Sequence, residues 1–422
     1  MLQKPLSLRF VVTATLLGNA FEWYEAATFG FVAPILMSLF FPITDIWTFP
    51  LLTLMAFAGG HILRPVSGLF FGYISDRYGR KVTLLISIAC ASLTSFIIGF
   101  LPTYWHIGIS ATILFIVMRF LQGLAAGAEF PTAVTFLVES SPKPKQGFIG
   151  SFAYFGVALG LSLGGLDFFV VQSHFTEEAF AKWGWRSMYL LGGVLGLVAF
   201  WLRSKLHETS IFLSMQKSHE NTRHPIKLLF YKHKKALGKL IGIEILETLG
   251  YNLTISFFVI YLTVILKLSF QEATHLNLLF LITLVISIPF AGLLSSKIGP
   301  KKLAIYAAWA YFILSLPLYW LLGFDTFRIL SSILLGAMVG FYMAPMPVLY
   351  CDLFPTKVRN SGIGFGLNLA IGLLGGFGPV LALGLIRSTG FKLAPGVILM
   401  IGALISLATL RSIKYESLET VS

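Results

Sequence analysis

A chain of 422 residues in which 56% of side chains are hydrophobic and 12% are charged, with a mean hydropathy of +0.83, has the composition of a polypeptide dissolved in lipid. That excludes an ordinary soluble domain. The net charge of +13 and pI of about 9.6 do not describe a nucleic-acid binder either, because the basic residues are scattered over segments flanking apolar runs.

Apolar runs fall at 11 to 40, 48 to 74, 82 to 101, 107 to 138, 147 to 172 and 186 to 202, and after a polar gap at 240 to 265, 273 to 295, 303 to 322, 327 to 351, 362 to 386 and 393 to 411. They predict about twelve transmembrane helices, since a helix needs roughly 20 residues to cross the hydrocarbon layer. Several runs are longer than a perpendicular crossing requires, which implies tilt. Barrel strands are excluded, because no run alternates and backbone groups in lipid must be satisfied internally. The first run is too long for a signal-peptide core and contains Glu22 and Glu25, so it reads as a retained span.

Most of the 31 Lys and Arg fall in alternate connecting segments on the side that holds both termini, among them Lys4, Arg9, Arg77, Arg80, Lys81, Lys143, Lys145, Lys357, Arg359, Arg411 and Lys414. The opposite segments hold Lys182, Arg186, Lys267, Arg328, Arg387 and Lys392. The positive-inside rule places both termini in the cytoplasm. The two cysteines, Cys90 and Cys351, match no disulfide or metal framework.

The chain divides into an N-terminal six-helix bundle at 1–202, a polar, basic linker at 203–239 that includes Arg203, and a C-terminal six-helix bundle at 240–422. The linker histidines His207, His219, His224 and His233 lack zinc-ligand spacing, and the segment reads as solvated, with an interfacial helix near anionic lipid. The halves echo one another. "GYISDRYGRK" from Gly72 aligns with "GLLSSKIGPK" from Gly292, pairing Gly79 with Gly299 and Lys81 with Lys301. Such repetition marks alternating-access transporters.

"GYISDRYGRKV" resembles the signature loop of the major facilitator superfamily, and "RFLQGLAAGAEF" its second motif. Within that superfamily, "GNAFEWYEAATFGFVAPILMSLFFP", "RPVSGLFFGYISDRYGRK", "WGWRSMYLLGGVLGLVAFWLRSKLHETS" and "LFPTKVRNSG" resemble the metabolite:proton symporters that carry proline and betaine, oxoglutarate, citrate or shikimate. The resemblance implies two pseudo-symmetric six-helix bundles around a central cavity lined by spans one, four, seven and ten. This chain departs from the pattern at Glu25, where the family has Asp, at Ala26 and Phe29, where it has an aromatic and Tyr, and at Ser296, which stands where Asp76 stands in the first half.

Ionisable groups at membrane depth are costly and mark pathways or proton relays. Here they are Glu22 and Glu25 in span one, Arg64 in span two, Arg119 and Glu129 in span four, and Glu244 and Glu247 in span seven; Asp167 lies near the outer, wet end of span five. The acids outnumber the bases, so at least one must carry a proton. Glu22 with Glu25, and Glu244 with Glu247, are i,i+3 pairs on a shared helix face. The expected arrangement pairs Arg119 with one span-one carboxylate while the other exchanges a proton, with Asn19, Tyr24 and Gln122 as neutral polar contacts. A fixed Arg119 ion pair joining spans one and four is the alternative. Glu129 and Arg64 serve either substrate contact or polar helix packing. Glu244 and Glu247 form either a second proton site or a wet cytoplasmic vestibule.

Asp76, Arg77 and Arg80 read as a cytoplasmic gate: the carboxylate can accept backbone donors at the start of span eleven after Arg359, and Arg77 or Arg80 can pair with Glu139. Lys81 reads as topology-setting charge. Glycines in "GGHILRPVSGLFFG" and "GVALGLSLGG" provide close helix packing. Span five lacks the Gly-Pro pattern of drug antiporters, and "GGFGP" at 375–379 lies in the wrong span for it.

The sequence therefore predicts an all-α, multi-pass protein of the plasma (bacterial inner) membrane with the major facilitator fold. It would import a small-molecule substrate with protons, as a zwitterionic osmolyte or amino acid of proline/betaine type or as an organic acid. A proton-coupled antiporter is the alternative within transport. No cofactor, metal or nucleic acid is expected, and the monomer is expected to function alone. An enzyme is disfavoured by the absence of a metal cluster, a Walker A loop and a Ser/His/Asp constellation.

Overall fold

The computed structural model describes residues 6–41, 64–218, 224–375 and 377–413, and among them every regular element is helical. Outside the described residues lie Lys4, Lys414, His219, the first part of the second expected span with Gly59 and Gly60, and Gly376 of the GGFGP stretch. The helices of the N-terminal half are α1 (Leu8–Phe40), α2 (Arg64–Tyr78), α3 (Arg80–Phe100), α4 (Ile109–Glu139), α5 (Gln146–His174) and α6 (Trp185–Ser204). Two short helices follow, α7 (Ser210–Lys217) and α8 (Pro225–Lys232). Then come α9 (Lys234–Tyr251), α10 (Phe270–Ile298), α11 (Pro300–Leu321), α12 (Asp325–Met343), α13 (Met346–Leu353), α14 (Arg359–Leu374), α15 (Phe377–Thr389) and α16 (Ala394–Ser412).

Ten helical stretches among the described residues are long and apolar enough to cross a membrane, and a pair bent by 48°, Lys234–Ile255 with Phe258–Ile265, makes an eleventh. The bend falls where α9 gives way to wider turns at Asn252–Ser256 and Tyr261–Ile265. The second expected span enters the described residues only at Arg64. Large apolar side chains such as Leu93, Phe169 and Phe290 are well exposed, which suits a surface bathed in acyl chains.

Local chemistry explains where the helices start. Ser7 accepts from the Phe10 amide at 3.3 Å, and Ser269 from the Glu272 amide at 3.2 Å, each satisfying a donor with no intrahelical partner. Gly79 and Gly299, matched by the internal repeat, join α2 to α3 and α10 to α11 with φ of 117° and 95°. Those left-handed values explain why both copies of the loop hold glycine there.

The described residues form two compact units. The first draws on Met1–Ser141, Phe152–Leu229 and Pro355–Asn368; the second on Pro142–Ser151, Phe230–Phe354 and Leu369–Ser422. In the first, α3 packs on α4 and α6, and α1 packs on the same two helices. Phe29, Val32, Leu36, Phe40, Phe115, Trp185 and Met188 form a buried core there, with Phe40 stacked on Phe115 at 4.6 Å between ring centroids. In the second unit α10 packs on α12, and α16 on α9 and α11.

A glycine row on α5, Gly156, Gly160 and Gly164, faces α1 at one-turn spacing. A Cβ at Gly156 would lie 3.1 Å from the Leu16 carbonyl oxygen, and one at Gly164 2.7 Å from Ala27 Cβ and 3.0 Å from the Tyr24 carbonyl oxygen. At Gly160 it would press into the Ala20 carbonyl. This is the close packing the sequence suggests, and it brings two backbones together with nothing between them. Gly160→Ala should therefore lower stability by about 1–3 kcal/mol, the usual cost of overpacking, seen as a lower thermal unfolding temperature in detergent. Gly165→Ala, whose Cβ would meet only Phe31 at an ordinary 3.6 Å, is the control expected to change little.

Candidate functional site

Glu22 and Glu25 sit on one face of α1, each 8% exposed. Burial of an acid requires a partner or a proton, and the two differ in what they find. Glu22 Oε1 lies 3.8 Å from Arg64 Nη2 at the start of α2. Glu25 forms no ion pair among the described residues; its Oε1 has no hydrogen-bond partner, and its carboxyl contacts the Ser95 hydroxyl on α3. Arg119 on α4 is close enough for Glu25 to feel its charge. Its guanidinium instead donates to Gln122 Oε1 at 2.7 Å and lies over the Phe29 ring, 3.5 Å from the centroid, with Nε unpartnered. The expected pairing of Arg119 with a span-one carboxylate is thus replaced: Arg64 takes Glu22, and a ring and an amide take Arg119. The Tyr189 hydroxyl, also unpartnered, completes this group.

The neutral residues are positioned as well. Asn19 donates to the Ala153 carbonyl on α5, bridging α1 to that helix. The Tyr24 hydroxyl lies 2.6 Å from Asp167 Oδ2 on α5 and 2.9 Å from the Met188 carbonyl oxygen on α6.

Glu129 is held elsewhere. Arg203, assigned from sequence to the linker, lies in the last turn of α6, is fully buried and pairs with Glu129 through both terminal guanidinium nitrogens, Nη1 and Nη2. The Ser87 hydroxyl donates to the same carboxylate at 2.7 Å, and Arg203 also donates to the Thr15 carbonyl at 3.0 Å. α1, α3, α4 and α6 meet at this pair. In this structure Glu129 joins helices through Arg203 and Ser87, and Arg203 is a deep base that the sequence count omits.

The signature-loop residues cluster at the start of α14. Asp76 Oδ1 accepts from the Asn360 amide at 3.0 Å and Oδ2 from the Ser361 amide at 2.9 Å, the use of helix N-terminal donors expected from the sequence. Arg80, fully buried, binds Glu139 at 3.2 Å through both Nε and Nη2 and donates to the Thr356 carbonyl at 2.9 Å. Arg359 reaches Glu139 at 2.7 Å. Arg77 stays exposed beside the Tyr73 and Tyr78 rings, outside this network. In the repeat, Ser296 accepts the Phe148 amide at 2.8 Å, a single neutral bond where Asp76 makes two.

Sequence reasoning passed over two further members. Thr209 caps α7 and donates to Glu139 at 2.6 Å; Glu208 accepts the Lys81 amide at 3.0 Å and the Thr209 amide at 2.9 Å. An acid followed by Thr before an apolar turn is a capping pattern that could have been read. Burial pushes the Glu208 carboxyl above its ordinary range, against the pull of its backbone donors and Arg80.

In the second unit, Glu244 is 1% exposed, accepts from Tyr350 and lies 3.4 Å from the Thr248 hydroxyl. It also hydrogen-bonds Glu247, itself 8% exposed. The setting is an enclosed polar cluster rather than a wet vestibule. Among the described residues no group of His, Cys, Asp and Glu could hold a metal ion.

Helices of this length, a repeated glycine loop and buried charge at mid-helix together define a membrane transporter. Residues 10–229 match the family described as sugar (and other) transporter, and residues 240–420 match the major facilitator superfamily. The chain belongs to the major facilitator superfamily and is a multi-pass transporter of the plasma membrane rather than an enzyme. It is 32% identical over 383 residues to the glycine betaine/proline/ectoine/pipecolic acid transporter OusA of Dickeya dadantii, covering 87% of this chain and 76% of that one. It is also 32% identical over 379 residues to the proline/betaine transporter of Salmonella typhimurium, with the same coverage. Among solved structures it resembles the proton:xylose symporter XylE with bound 6-bromo-6-deoxy-D-glucose, with a TM-score of 0.76 at 16% identity over 96% of this chain and 94% of that chain. The E. coli fucose:proton symporter FucP gives 0.71 at 14% identity over 95% and 98%.

The buried charges can be tested by substitution and by pH. Arg203→Met should cost about 3–5 kcal/mol by stranding Glu129, and adding Glu129→Leu should recover much of it; thermal unfolding of the single and double variants measures the coupling. A carboxyl held above its ordinary range, as Glu208 is, contributes stability below the ordinary value that disappears as pH rises through the shifted one. The unfolding temperature of Glu208→Gln relative to the unsubstituted protein should accordingly improve from acid to neutral pH.

Proposed function

We propose that this transporter is a proton-coupled symporter that imports a small polar metabolite by alternating access. A zwitterion of the proline or betaine kind is the favoured substrate class, and an organic acid is the other that its charges admit. The observation that carries the proposal is Glu25: a buried carboxyl on α1 that forms no ion pair among the described residues, set beside Arg119.

An ionised acid without a counter-charge at this depth is too costly to persist, so Glu25 is the group that takes up and releases the proton. Arg119 is the anion-binding group. Gln122 and Phe29 hold its guanidinium in place, while the unpartnered Nε leaves a donor for a substrate carboxylate. The carboxylate of a zwitterion lies on Arg119, while Glu25 beside it carries the proton that crosses with the solute. The solutes named for OusA and the Salmonella relative support this class.

Asp76, Arg80, Glu139 and Arg359 serve as the cytoplasmic gate in this proposal, because their bonds join the loop between α2 and α3 to the first turn of α14. Residues 1–202 and 240–422 are the bodies that would rock, connected by 203–239. Glu244 and Glu247 are a second buried acid pair, assigned here to proton binding in the C-terminal half.

Purified protein in liposomes, alkaline inside and acid outside, should accumulate radiolabelled proline or glycine betaine, up to about tenfold per pH unit for one proton per solute. Glu25→Gln should abolish the accumulation while solute exchange across the membrane continues. A Glu25→Gln carrier that still accumulates solute with unchanged pH dependence would remove Glu25 from coupling.

A further inference from the structure

Where α1, α5 and α6 meet, three oxygen atoms share too few protons. Tyr24, 2% exposed, places its hydroxyl 2.6 Å from Asp167 Oδ2 and 2.9 Å from the Met188 carbonyl oxygen. A phenol has one proton and donates once; a carboxylate and a carbonyl only accept. If Asp167 were ionised, one of the two short contacts would bring oxygens together with no hydrogen between them. The ring has little room to turn away: a Cβ at Gly192 would lie 3.1 Å from its Cε1, and Gly164 of α5 packs on the Tyr24 backbone. If Asp167 is the acid, its O–H donates to Tyr24 and the Tyr24 O–H donates to Met188. Every contact then has one hydrogen.

We propose that Asp167 is a further proton-carrying group of this transporter, whose protonation decides whether Tyr24 ties α1 to α6 or to α5. In the protonated state the chain runs from Asp167 through Tyr24 to the Met188 carbonyl, and all three helices are joined. On release, the Asp167 O–H bond breaks and its proton passes to water, which the half-buried carboxyl can reach. The Tyr24 O–H then leaves the Met188 carbonyl for the carboxylate, and the tie from α1 to α6 is lost. Only the proton of Asp167 departs; that of Tyr24 changes acceptor.

The tie matters because Glu25 is the next residue after Tyr24 on α1. Tyr24 is the titratable group that acts on Asp167; Glu25 on the same helix acts on Tyr24, and Tyr189 on α6 and Arg119 on α4 act on Glu25 or are acted on by it. Proton release at Asp167 thus loosens the helix that presents the principal coupling acid. The role in transport rests on the symport reading above, whereas the protonation of Asp167 does not.

The test separates the two. Infrared difference spectra of the full chain in liposomes, taken as pH is raised with no solute present, should show the carbonyl stretch of a protonated carboxyl disappearing. Asp167→Asn, whose amide can still donate to Tyr24, should lack that component; Asp167→Glu should restore it, and Tyr24→Phe should shift its midpoint. In uptake of radiolabelled proline driven by a constant pH difference, with external pH varied between about pH 5 and pH 8, Asp167→Asn should flatten the pH dependence to within about twofold, and Asp167→Glu should regain the slope. A band unchanged in Asp167→Asn, or an uptake profile identical to that of the unsubstituted protein, would overturn the proposal. If proline does not move at any pH but the band is lost as expected, the symport reading fails and the proton site stands.

Discussion

Charge in a low-dielectric interior must be neutralised, and in the first compact unit that neutralisation is uneven. Glu129 has Arg203 in close bidentate contact. Glu139 is shared by Arg80 and Arg359. Glu22 has Arg64 at the long distance of 3.8 Å, and Glu25 has only a hydroxyl contact beside a guanidinium committed to a ring and an amide. The gradient runs from acids fixed by partners to an acid with no ion pair among the described residues; under the proposed function, packing, gating and coupling are different positions along it.

The same constraint explains how the two repeated loops can share a backbone yet differ in strength. Gly79 and Gly299 both turn the chain with left-handed φ. The strength of each fastening depends on the acceptor that sits near a helix start. A carboxylate at 76 takes two amides and is flanked by Arg80; a hydroxyl at 296 takes one and carries no charge. Charge-assisted bonds of the first kind are roughly twice as strong as neutral ones. The repeat therefore preserves geometry while making the two fastenings unequal.

Sequence made some of this legible because the signals were local. The spacing of Glu22 and Glu25 places them on one face; the signature loop places Asp76 near helix donors; and the glycines of α5 mark a close approach. Other features depend on separations that no local pattern encodes. Arg203 lies at the edge of an apolar run and beside a basic segment, so its charge reads as belonging to the loop until the fold buries it against Glu129, 74 residues away. Arg119 reads as a partner for an acid because nothing in sequence shows that Phe29 fills the place beneath its guanidinium. Asp167 reads as a wet terminal acid because Tyr24 is 143 residues distant. The contacts of Glu208 and Thr209 lie in a segment whose composition is that of a linker, and only their capping roles set them apart.

Arg203 has a further implication for how this chain could diverge. Its guanidinium fills the space in which a side chain at position 18 would stand, and Gly18 is therefore open to α6 only because it has none. Glycine at 18, arginine at 203 and glutamate at 129 are one substitutional unit: enlarging the first expels the second, and expelling the second strands the third. Across an alignment of relatives these three columns should vary together, as a joint exchange of glycine, arginine and glutamate for larger, neutral and apolar residues. A lineage that crossed from one state to the other by single steps would have to pass through a less stable carrier on the way.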